Sequence, residues 1–202
     1  MLDHLSLKMI SPVLKKMATV LHRAGVHPDA VSVIGFLIGM AGAGMIAGQF
    51  YLVGLILILG NRLADGLDGA IARLAGTTDS GAYLDICLDF IFYSAVVLGF
   101  AFADPGRNSL PAALLIFSFI GTGSSFLAFA ILAQKNNISD LRLPGKGFYY
   151  LGGLAEGTET IGVFILFCLF PYHFPLIALS FAIICLVSTV LRVIHGYRRL
   201  KS

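Results

Sequence analysis

Six times between residues 29 and 196 the sequence runs for about twenty residues with few charges, the length a helix needs to cross the hydrocarbon core of a bilayer. The stretches are 29–49, 51–75, 80–103, 110–134, 148–170 and 175–196. Lipid offers no partner to backbone N–H and C=O groups, so each stretch must satisfy its own by forming a helix. Hydrophobic residues make up 57% of the 202 positions and charged ones 12%, with a mean hydropathy of +0.89, which excludes an ordinary soluble domain. The expected fold is therefore an all-α polytopic membrane protein. A net charge of +3 gives no reason to expect a nucleic-acid partner. Cys87, Cys168 and Cys185 lie in apolar stretches without a C-x-x-C, so neither a disulfide framework nor a zinc site is expected.

Ahead of the first span, residues 5–23 carry Leu5, Leu7, Met9, Ile10, Val13, Leu14, Met17, Val20 and Leu21 mostly three and four apart, with Lys8, Lys15, Lys16 and Arg23 between them. This spacing predicts an amphipathic helix lying on the membrane surface. The chain divides into an interfacial segment, 1–27, and a six-span domain, 28–202. No cleavable signal peptide is visible in the first 27 residues. Six spans place both termini on one side, and eleven of the fourteen lysines and arginines fall there; Arg62 and Arg73 lie within span two and Arg107 lies opposite. The positive-inside rule makes that side cytoplasmic. Gly35, Gly39, Gly42, Gly44 and Gly48 recur along span one and are expected to let helices approach closely.

Against this background, residues 61–89 stand out because four aspartates interrupt sequence otherwise fit for lipid, and charge at such depth marks function. Asp65 and Asp68 are three apart and Asp85 and Asp89 four apart, so each pair shares one face of its own helix. Gly76 is placed to end the first helix and Asp79 or Ser80 to cap the second. From Thr77, Asp68 lies nine residues back and Asp85 eight forward, while Asp65 and Asp89 are each twelve away. An antiparallel hairpin thus brings all four to similar depths. Each close pair of carboxylates repels by about 1 to 4 kcal/mol. Two arginines cannot neutralise four anions, whereas Mg²⁺, Mn²⁺ or Ca²⁺ suits an all-oxygen donor set, two such ions being common in phosphoryl chemistry.

The spacing Asp65-x-x-Asp68-Gly69-x-x-Ala72-Arg73, followed by Gly81-x-x-x-Asp85-x-x-x-Asp89, resembles the signature of the CDP-alcohol phosphotransferases, integral membrane enzymes of phospholipid synthesis. The resemblance implies transfer of a phosphatidyl group from CDP-diacylglycerol to the hydroxyl of a small polar alcohol with release of CMP. It implies that Asp65, Asp68, Asp85 and Asp89 hold two Mg²⁺ or Mn²⁺ ions, with Asp89 also the general base. Asn61, Asp68, Gly69, Ala72, Arg73 and Gly81 are then the CDP-binding set, and the enzyme is expected as a homodimer in the cell inner membrane with its active site opening to the cytoplasm. Pro28-Asp29-x-x-Ser32 is similar to the Pro-Asn-x-x-Thr with which the family opens span one, with two substitutions. Arg62 is expected as a structural counter-ion, and none of the five histidines falls within the constellation.

The acceptor is less sharply specified. Lys135, Arg142, Lys146 and Arg192 at the cytoplasmic interface point to a phosphorylated alcohol, glycerol 3-phosphate or an inositol phosphate, whereas Glu156 and Glu159 in span five fit a polyol, an amine or pairing within the bundle. Two rival readings exist. A UbiA-like prenyltransferase matches Asn61-x-x-x-Asp65 and Asp85-x-x-x-Asp89 but leaves Gly69, Ala72 and Arg73 unexplained. A cation or proton transporter requires polar residues across the whole membrane, and the outer halves of these spans, such as 51–60 and 91–103, are almost wholly apolar.

Overall fold

The computed structural model describes residues 14–136 and 157–201, and within them all regular structure is helical. Helix α1 covers 14–23, α2 Pro28–Ala47, α3 Tyr51–Ala75, α4 Asp79–Ala103, α5 Pro105–Lys135, α6 Gly157–Leu169 and α7 Phe174–Lys201, with a short 3₁₀ turn at Pro171–His173 before the last. Helices α2, α4 and α5 and the segment Pro171–Lys201 are each long and apolar enough to cross a membrane. Helix α3 has the length, at 25 residues, but carries Arg62, Asp65, Asp68 and Arg73. The described part of α6 has 13 residues, about 20 Å of rise; the first part of the expected span, 148–156, lies outside the described residues.

Local sequence sets most of the helix ends. Pro28 occupies the first turn of α2, where its missing N–H costs nothing. Gly76, at φ 98°, stops α3 in a conformation that side chains disfavour. The cap of α4 is neither Asp79 nor Ser80 but Thr78, whose hydroxyl accepts from the Gly81 N–H at 3.1 Å. Asp79 instead sits in the first turn, where its charge complements the helix dipole. Helix α5 begins at Pro105, ahead of the expected 110, because the Asp104 side chain caps it by accepting from the Arg107 N–H at 3.3 Å.

Helix α2 is the centre of the packing. It lies against both α3 and α4, whereas those two barely approach one another, so the expected hairpin is splayed around a wedge. The glycines of α2 make this possible: an added Cβ would lie 2.6 Å from the Ala64 Cβ at Gly35, and 2.6 Å from the Phe92 ring at Gly39. Such small positions let lipid-embedded helices meet at the backbone, as expected for this seam. Gly44, by contrast, faces open space. Helix α7 packs on α5, and α4 on α5, completing the far wall.

The main core fills the far half of the bundle and reaches the wall of the cleft described below at Phe119 and Cys185. Phe100 stacks on Phe174 with ring centroids 4.8 Å apart, and Phe167 meets Phe174 at 4.7 Å. A second small cluster, Leu14, Ala18, Leu67, Ala70 and Ile71, fastens α1 onto the back of α3. The apolar residues of α1 therefore divide between two neighbours: Leu14 and Ala18 are buried against protein, while Met17 and Val20 are exposed. Residues 1–13 of the expected amphipathic helix lie outside the described residues.

Candidate active site

The splay of α3 from α4 leaves their acidic residues facing a shared gap. Carboxylate oxygens of Asp65 and Asp68 on α3 and Asp85 on α4 all lie within 4.8 Å of one another. Asp68 is buried and Asp85 exposed, so the cluster runs from the protein interior to an opening. The fourth aspartate behaves differently. Asp89 Oδ1 accepts from Arg62 Nη2 at 2.7 Å, and the same guanidinium lies 3.4 Å from Asp65 Oδ2. Arg62 is held further by Nε donating to Asn61 Oδ1 at 2.8 Å, by the Tyr93 hydroxyl at 3.3 Å, and by the Phe92 ring, 4.8 Å below the guanidinium carbon.

Beside the cluster opens a cleft of about 490 Å³. It is lined by Asp68, Gly69, Ala72 and Arg73 from α3 and by Gly81, Asp85 and Asp89 from α4. All seven carboxylate and CDP-set positions on those two helices other than Asn61 and Asp65 thus line the cleft. Asn61 does not line this cleft: its amide donates to the Gly35 carbonyl at 2.9 Å on α2, and with Asp65 it borders a smaller cavity beside Asp68, Asp85 and Asp89. Pro28, Asp29 and Ser32 at the start of α2 also line the cleft, although sequence spacing gave them no firm role. An added Cβ at Gly81 would lie 3.1 Å from both Asp29 Oδ1 and Thr78 Oγ1, so the bare backbone there matches a crowded corner. The N-termini of α2 and α4 both open on this corner, where their dipoles favour an anion.

The opposite wall comes from Thr122, Gly123 and Phe126 of α5, Gly157 and Thr160 of α6, and Cys185 and Arg192 of α7. Arg192 is buried, at 8% exposure, with Nη1 donating to the Thr122 carbonyl at 3.1 Å and Phe126 beneath it. The 121–125 run thus serves two purposes, since Thr122 lines the cleft while an added Cβ at Gly123 would lie 2.5 Å from the Phe90 ring. Lys135 and Glu159 do not line the cleft. Arg142, Lys146 and Glu156 lie outside the described residues.

The donor set fits a divalent cation. Three carboxylates converge from two helices, all donors are oxygen, and no described lysine or arginine pairs with Asp68 or Asp85. Hard ions such as Mg²⁺ or Mn²⁺ match that chemistry.

The chain is 50% identical over 202 residues to the inner membrane protein YnjF of Escherichia coli, covering 100% of this chain and 98% of the relative. It is 29% identical over 171 residues to the archaetidylinositol phosphate synthase of Pyrococcus horikoshii, covering 82% and 81% of the two chains. The fold is shared with the phosphatidylinositol phosphate synthase of Mycobacterium tuberculosis, solved with CDP-DAG bound, at a TM-score of 0.69, 24% identity and coverage of 92% and 94%. A second structure of that synthase, with manganese and citrate, superposes at 0.68 with 24% identity over 91% and 88%. The model of the CDP-alcohol phosphatidyltransferase family matches residues 25–194, which include every aspartate of the cluster and both walls of the cleft. By that match the chain belongs to the CDP-alcohol phosphatidyltransferase family, transferases of substituted phosphate groups.

Proposed function

We propose that the protein transfers a phosphatidyl group from CDP-diacylglycerol to the hydroxyl of a phosphorylated polyol, releasing CMP. The observation that carries this reading is the convergence of Asp65, Asp68 and Asp85 beside a cleft walled by Gly69, Arg73 and Gly81. The structural neighbour solved with CDP-DAG supports the donor. Gly69 and Gly81 leave backbone exposed for the nucleotide, and Arg73 offers a planar fork to phosphate. Asp89 takes the proton of the acceptor hydroxyl as its oxygen attacks the β-phosphorus; the bond from that phosphorus to the CMP oxygen breaks and CMP departs. Bound Mg²⁺ or Mn²⁺, two ions by family resemblance, supplies neutralisation of diphosphate charge.

Arg192, buried and bonded to the Thr122 carbonyl across the cleft, is the group fitted to an acceptor phosphate. Two relatives are named as synthases of archaetidylinositol phosphate and phosphatidylinositol phosphate. They lend no support to glycerol 3-phosphate, so an inositol phosphate is the favoured acceptor.

The same reading takes α3 and α6, the latter with 148–156, as two further spans, giving six. Residues 1–27 form the interfacial segment and 28–202 the catalytic domain. Basic residues put both termini in the cytoplasm, the name of the Escherichia coli relative supports the inner membrane, and homodimer assembly rests on family resemblance.

The test is CMP release by the purified protein from CDP-diacylglycerol and a divalent ion, with inositol phosphate, glycerol 3-phosphate, inositol or serine as acceptor. Release with inositol phosphate is expected. No release with any acceptor would overturn the transfer, and release only with an unphosphorylated acceptor would overturn the role of Arg192.

A further inference from the structure

Arg62 is a cation placed inside a cluster whose chemistry calls for cations. Its guanidinium is fixed from several directions: Asn61 accepts from Nε at 2.8 Å, the Tyr93 hydroxyl stands 3.3 Å from Nη1, and Phe92 lies beneath. Asn61 is itself anchored to the Gly35 carbonyl at 2.9 Å, so the arginine is tied to the central helix α2. From this mooring it reaches across to α4 and holds Asp89 Oδ1 at 2.7 Å, while standing 3.4 Å from Asp65. The three-way convergence of carboxylate oxygens accordingly includes Asp65, Asp68 and Asp85 and leaves Asp89 out.

We infer that Arg62 is a positioning residue that divides the four aspartates into a three-carboxylate cation site and a separately neutralised Asp89, so that this chain holds one divalent ion tightly and a second only weakly. The inference rests on the reading above that the cluster takes divalent metal. Its physical basis is charge. Asp65, Asp68 and Asp85 carry three negative charges and leave ample attraction for one dication. A second ion between Asp65 and Asp89 meets a guanidinium already donating to Asp89 and near Asp65, and like charges at such distances repel. To recruit Asp89, that ion must also strip a mostly buried arginine of its partner, which is costly. The pairing leaves Asp89 Oδ2 outside the bond to Arg62, consistent with its role as proton acceptor.

The test counts ions rather than turnover. Full-length protein in detergent, freed of divalent metal, is titrated with Mn²⁺, and bound ion is measured by electron paramagnetic resonance and calorimetry. The wild type is expected to bind one Mn²⁺ tightly and a second at least about tenfold more weakly; Arg62→Met frees Asp89, and the two affinities then come within about threefold of each other. Asp89→Asn is expected to leave the first ion's affinity within about threefold of wild type, whereas Asp68→Asn weakens it by about tenfold or more. Should Arg62→Met fail to fold, the comparison of Asp89→Asn with Asp68→Asn still decides. Two equally tight ions in the wild type, a second ion still at least about tenfold weaker than the first in Arg62→Met, or an Asp89→Asn loss equal to that of Asp68→Asn would overturn the division while leaving the metal reading intact. No binding at all would overturn both.

Discussion

The two halves of α4 differ as much as two proteins. In its first half, 79–90, no residue is buried, and Asp85 and Asp89 face the cleft. In its second half every buried residue of the helix is found: Phe92, Val96, Val97, Gly99, Phe100 and Ala103. The same contrast runs through the bundle. At the far end, Phe100, Phe167 and Phe174 interlock, and an added Cβ at Gly99 would lie 2.6 Å from the Ala43 carbonyl. At the near end, helices splay, polar groups gather and a large cleft remains. In lipid, apolar contact between helices gains little from the hydrophobic effect, so close packing must hold the bundle together. One end is packed tightly enough that the other can stay open and crowded with charge.

Four substitutions probe this division of labour. The largest effect is expected from Asp89→Asn, which should lower kcat about a thousandfold by removing the proposed general base while CDP-lipid binding, read by calorimetry, stays measurable. Loss of binding together with turnover would show that Asp89 builds the cleft rather than acting in it. Next, Phe100→Ala should cost about 3 kcal/mol through the cavity it leaves, seen as a lowered Tm in detergent. If its residual activity at low temperature fell as steeply as that of Asp89→Asn, the halves would not be separable.

A smaller change is expected at the acceptor wall. Arg192→Ala should raise the KM for inositol phosphate about tenfold by deleting a charge-assisted hydrogen bond, with the KM for CDP-diacylglycerol unchanged; an unaltered acceptor KM would take Arg192 out of that subsite. Smallest of all, Thr78→Ala removes the cap of α4 and should cost about 1 kcal/mol, a modest fall in Tm. No fall would mean that packing further along α4, not its capped end, holds the helix.

Much of this was legible along the chain because spacing alone carries it. Asp65 and Asp68 at three, and Asp85 and Asp89 at four, share helix faces whatever surrounds them. Gly76 stops a helix by its own backbone freedom, and Gly35 and Gly39 announce close approach because a side chain would occupy the space. Other features depend on partners far away in sequence. Thr78 outcompetes Asp79 and Ser80 as cap through the backbone path between α3 and α4. Asn61 shares a helix face with Asp65, yet its amide goes to Gly35 on α2. The role of Pro28, Asp29 and Ser32 in the cleft follows from where α2 lies between the two arms.

The sequence by itself determined that the chain is helical and fit for lipid, and that its acidic residues fall in register on two successive helices, since both follow from apolar run length and helical period. Only the tertiary structure decided that α2 wedges those helices apart, that three aspartates converge, and that the fourth pairs with Arg62. The physical reason is that spacing sets which face a side chain occupies, whereas the partner it meets there depends on how separate helices pack, and a local pattern cannot encode that.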